Sequence, residues 1–199
     1  MDFNLKRTAQ ITAYLLIAAA VTQAVYTALR MADVAVPRQL LWGTEVLLFT
    51  ILTAFAGAAL VQAKNYHVGW SAIAFSAVLN VVQVSVGLTM FAPFREAAGQ
   101  VEGLGPAAGA VAAFSFMVYN GAKLLLGFAA LMFGRAKMEM GAKALGGLTA
   151  VAGAIAMFAN ATVIGFGRGA FLPGSVAGGS GVVATLLLGI CLLSVVRDE

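Results

Sequence analysis

The chain has one cysteine, Cys191, and one histidine, His67, and that scarcity removes most site chemistry at once. A disulfide needs two thiols and a structural zinc site needs a set of Cys and His ligands, so neither forms within one copy. Paired axial histidines for a haem are equally out of reach. His67, beside Lys64 and Trp70, reads as a polar tip at a membrane edge. Acyl transfer or intramembrane proteolysis asks for a nucleophile, a base and an acid within reach, which a lone edge histidine does not supply. The chain therefore does not read as an enzyme, and no metal or catalytic residue is expected. No cofactor is expected either, a quinone being the one that an apolar cavity would suit.

Charge is the second scarcity. Asp, Glu, Lys and Arg make up 10% of the 199 residues, against about 25% in a soluble domain. The formal net charge is +4, but no stretch joins clustered Lys and Arg to a polar surface, so nucleic acid is not an expected partner. With 61% hydrophobic residues and a mean hydropathy of +0.95, the expected partner is the lipid bilayer. No stretch is long and polar enough for a soluble domain. The chain reads as a single integral membrane domain over 1–199.

What is present is a series of six apolar runs, at about 8–30, 40–61, 68–91, 108–133, 142–165 and 176–196. Each is long enough to cross a hydrocarbon core, which takes about 20 residues at ~1.5 Å per residue. The expected fold is an all-α, polytopic transmembrane helical bundle. Lys6 and Arg7 ahead of the first run resemble the start of a signal peptide. That run is longer than a signal's apolar core, is broken by Gln23 and Tyr26, and lacks a small-x-small site, so it is retained as the first span. Pro93, Arg95, Glu96, Glu102 and Pro106 mark a longer loop before the fourth span. The glycine-rich stretch 165–181 reads as a flexible loop, without the Lys-Ser/Thr of a phosphate cradle. Gly181, Thr185 and Gly189 recur every four residues, a pattern for close internal helix packing.

Alternating the loops puts seven basic residues on the side of the N-terminus (Lys6, Arg7, Lys64, Arg135, Lys137, Lys143, Arg197) and four on the other (Arg30, Arg38, Arg95, Arg168). The positive-inside rule then sets both termini in the cytoplasm, and the expected location is the bacterial cytoplasmic (inner) membrane. Tyr26, Trp42, Tyr66 and Trp70 fall near span ends, where amphipathic rings prefer to sit.

The fourth run carries Tyr119, Asn120 and Lys123 near its middle. A charge there costs roughly 2.5–3.5 kcal/mol on insertion scales, so a partner must face it. A rise of ~1.5 Å per residue sets Asn80, Asn120 and Lys123 near mid-membrane, with Gln23, Gln83, Glu45 and Asn160 in the outer half. Ser76, Asn80 and Gln83 share one face of the third span. Asn160 also opens an Asn160-Ala161-Thr162 triplet, but a glycosylation acceptor inside a span is out of reach of the transferase. These seven residues make a candidate polar cavity. Glu45 is expected near the headgroups, its Cα about 13 Å further out than that of Lys123, so that Asn80, Gln83, Asn120 or water must bridge the two, or the second span must be displaced inward. The third span is expected to supply the amides that meet Lys123. A small transporter or solute-binding protein with Lys123 as an anion or proton site is the leading function. The alternatives are a non-catalytic membrane subunit that packs against other subunits, and a quinone- or lipid-binding membrane protein.

Overall fold

In the computed structural model, which describes residues 4–193, the expected six spans are six helices long and apolar enough to cross a membrane. They are α1 (Leu5–Met31), α2 (Arg38–Gln62), α3 (His67–Gln100), α4 (Gly105–Glu139), α5 (Lys143–Phe166) and α6 (Gly174–Leu192). The described residues are 86% helix and include no strand. The end of the sixth run, with Arg197, lies outside them.

The helices hold in lipid because each satisfies its own backbone groups. Asn4 caps α1, its Oδ1 accepting from Arg7 N at 3.0 Å. Many hydroxyls within the spans turn back onto their own helix, as with Thr12 on Thr8 O at 2.9 Å and Thr185 on Gly181 O at 2.7 Å, which satisfies those donors without water. Gly141 turns the chain between α4 and α5 at φ +94°, a left-handed backbone that costs glycine little.

Pro93 does not end the third helix. α3 runs through it to Gln100, and α4 begins at Gly105, so the expected long loop is mostly helix with a short turn. At 34 and 35 residues these two helices reach about 50 Å, well beyond a hydrocarbon core of about 30 Å. Proline is tolerated there because neighbouring helices and local adjustment re-satisfy the carbonyl it leaves free.

Helix α1 packs on α2 and α6, α3 packs on α2 and α4, and α4 packs on α6. Five helices thus close a ring in the order α1, α2, α3, α4, α6, and α5 lies against α4 and α6 from outside. The half of the ring nearer the start of α1 is filled by apolar side chains, with Leu16, Phe49, Leu52, Ile73, Leu126 and Leu188 fully enclosed. Trp70 belongs to this filling, 5.0 Å from Phe133 between ring centroids and buried, rather than to a boundary belt.

The tightest contact joins α4 to α5 through glycines seven apart on each helix. A Cβ at Gly134 would stand 2.5 Å from Ala150 N, and one at Gly153 2.5 Å from Gly127 O. Gly146 meets Gly134 O at 2.6 Å in the same way. Backbones this close gain dispersion contact along their length, which is what drives association where no hydrophobic effect separates helix from lipid.

Candidate functional site

Lys123 enters the ring from α4, and Gly181 on α6 makes room for it. A Cβ at Gly181 would meet the Cγ and Cδ of Lys123 at 2.8 Å, so the lysine stem lies flat on bare α6 backbone. Its ammonium then crosses the ring. Among the described residues α1 and α4 do not pack on one another, yet Lys123 Nζ donates to Gln23 Oε1 on α1 at 2.6 Å. The Tyr119 ring, one turn back on α4, lies 5.3 Å from the ammonium, and the Tyr119 hydroxyl donates to Gly178 O on α6 at 3.5 Å.

Glu45 on α2 completes the arrangement. Its carboxyl lies near the side chains of Thr22 and Gln23, and the charge of Lys123 acts on it. The Gln23 side chain, an acceptor toward Lys123 and a neighbour of Glu45, therefore sits beside both acid and base. This corrects two expectations. Glu45 is buried, 4% exposed, rather than in contact with water near the headgroups. The amide that meets Lys123 comes from α1, not from the third span, because the lysine side chain reaches across the ring to Gln23. Depth along the membrane normal, taken from residue counts, held no information about that lateral arrangement.

The third-span stripe goes elsewhere. Ser76 Oγ donates to Ala122 O at 2.9 Å, Asn80 Nδ2 donates to Ser76 O at 2.9 Å, and Gln83 Nε2 donates to Ser115 Oγ at 3.4 Å. The first and third of these bonds fasten α3 to α4, and the Asn80 bond stays within α3. Asn120 Nδ2 donates to Phe116 O of its own helix at 2.7 Å. Asn160 Nδ2 bridges Ala156 O and Ala177 O, at 2.8 and 3.2 Å, and so ties α5 to α6. The Oδ1 atoms of Asn80 and Asn160 are buried without a protein partner. Of the seven residues read from sequence, Gln23, Glu45 and Lys123 meet at one centre, and the amides at 80, 83, 120 and 160 do not join it.

Two contributors carried no signal that sequence reading had weighed for the site. Thr22 sits beside Gln23 in α1 and faces Glu45, although its own hydroxyl donates to Ala19 O at 2.8 Å. Above the centre, Tyr26 and Trp42 stand one turn beyond Gln23 and Glu45 on the same faces, with ring centroids 5.4 Å apart. Trp42 is backed by Phe91 at 6.0 Å and rests on Gly87, where a Cβ would meet the indole at 2.7 Å. These rings roof the charged centre on the face opposite the start of α1. No protein-family model, curated protein or solved structure matches the chain.

Proposed function

We propose that the chain is a small membrane transporter whose solute site is the Lys123–Gln23–Glu45 centre, held here in an occluded form. One observation carries the reading: a fully buried lysine crosses the ring to an amide on α1 and lies near an acid on α2, two helices whose backbones do not pack on its own. A strut between helices needs no ionisable group, since helix-linking hydrogen bonds average about 0.6 kcal/mol without one. Ionisable groups inside the membrane mark solute and proton routes because their cost selects against them elsewhere. The ring is plugged by apolar side chains toward the start of α1, and the rings of Tyr26 and Trp42 roof it on the other face. That asymmetry favours access from the roofed face.

The proposed orientation puts the plugged half toward the cytoplasm. Six of the seven basic residues counted on that side, all but Arg197, are among the described residues. A phosphatase fused after Glu199 should then stay inactive, and an active fusion would reverse the topology.

Ligand-dependent stability tests the site. Purified protein is heated in neutral detergent with a panel of small polar solutes. A solute at about 100 times its dissociation constant should add ~2.7 kcal/mol of stability. Lys123→Met should fold and lose that response. A Lys123→Met protein that is more heat-stable and equally responsive would leave the subunit reading in front.

A further inference from the structure

The turn between α1 and α2 encloses a hollow of about 560 Å³ lined by Tyr26, Arg30, Asp33, Arg38 and the loop backbone between them. It belongs to no part of the charged centre below it. Both guanidinium groups are exposed. The one hydrogen bond of the Arg30 side chain runs from Nη1 to the Tyr26 hydroxyl at 3.4 Å, and Arg38 lies 5.8 Å from the Trp42 ring centroid. No other interaction of either side chain exists among the described residues, so Asp33, the acid of the lining, neutralises neither by contact. Two unpaired guanidinium groups on one rim keep donors free in the fork geometry that matches a phosphate or carboxylate. The start of α2, without a side-chain cap, adds its partial positive charge at the same rim. Asp33 holds a left-handed backbone at φ +54°, which turns the loop so that Arg30 and Arg38 line the same hollow.

We propose that this hollow is an oxyanion site, built for a phosphate group held between Arg30 and Arg38 at the membrane boundary. Tyr26, whose ring pairs with Trp42, lines the hollow, and an amphipathic ring there suits a phosphate carried on a lipid as well as one arriving from water. The site stands whether or not the centre around Lys123 moves solute.

The test is the thermal midpoint of the full chain in neutral detergent, with adduct counting by native mass spectrometry as a second reading. Three probes are compared: phosphatidylglycerol, phosphatidylcholine and inorganic phosphate. The expected result is a higher midpoint and one retained phosphatidylglycerol per chain. Both should be lost in Arg30→Gln and in Arg38→Gln and kept in Arg95→Gln, a basic residue outside the hollow. Stabilisation by phosphatidylglycerol alone assigns the site to a lipid headgroup, and stabilisation by millimolar inorganic phosphate as well assigns it to a soluble oxyanion. Either result supports the site. Equal stabilisation by phosphatidylcholine, an unchanged response in both arginine variants, or an equal loss in Arg95→Gln would overturn it.

Discussion

Lys123 is tolerated because each part of it meets a suited surface. Its methylenes lie on Gly181, its ammonium on Gln23 and over Tyr119, and its charge faces that of Glu45. Taking away one member of a buried pair leaves the other charge desolvated without compensation, whereas taking away both can be neutral. Glu45→Gln should therefore lower the thermal midpoint, by about 2–4 °C for each kcal/mol lost in a chain of this size. Lys123→Met on that background should recover part of the loss, because neighbouring buried groups couple by about 0.5–3 kcal/mol. Additive effects in the double variant, read by thermal unfolding in detergent, would show that acid and lysine do not sense each other. The residues of this centre were legible one at a time, as polar groups in apolar runs. Their grouping was not, since hydropathy gives depth and the meeting of Gln23 with Lys123 depends on which helices become neighbours.

At the scale of helices, the number of spans is written in the lengths of the apolar runs, and all six are present. Boundaries were less legible. Pro93 and the charges after it look like a loop in sequence, yet α3 continues to Gln100 because a helix paired along α4 supports a proline that an isolated helix would not. The four-residue repeat of Gly181 and Gly189 is used inside the bundle, against Lys123 and against Ala13 and Ile17. The closest helix pair instead uses glycines at 127, 134, 146 and 153, whose wider spacing is inconspicuous in a chain with 23 glycines. Which glycines matter follows from the space around them. Gly134→Leu should abolish recovery of folded protein, since its Cβ alone would strike α5 backbone. Gly57→Ala, with nothing within 4 Å, should match the parent or gain up to about 1 kcal/mol from helix propensity. Size-exclusion recovery after heating separates the two, and a well-folded Gly134→Leu protein would mean that α4 and α5 are not in backbone contact.

For the whole molecule, the ring divides into an apolar half that seals it and a charged centre under an aromatic roof. A transporter needs that seal and that roof to yield in turn around the site, and the Lys123–Gln23 hydrogen bond gives a solute something to displace. A transporter meets one demand that a rigid subunit does not: charge or solute crosses the membrane through the Lys123 centre. Currents from proteoliposomes on a solid support, recorded as a solute that stabilises the protein is applied in a concentration jump, measure this directly. The parent should give a transient current that grows with solute and saturates. Lys123→Met, reconstituted to the same density and folded by thermal unfolding, should give none. A parent protein that is silent toward every stabilising solute, or a Lys123→Met protein whose currents equal the parent's, would contradict the account.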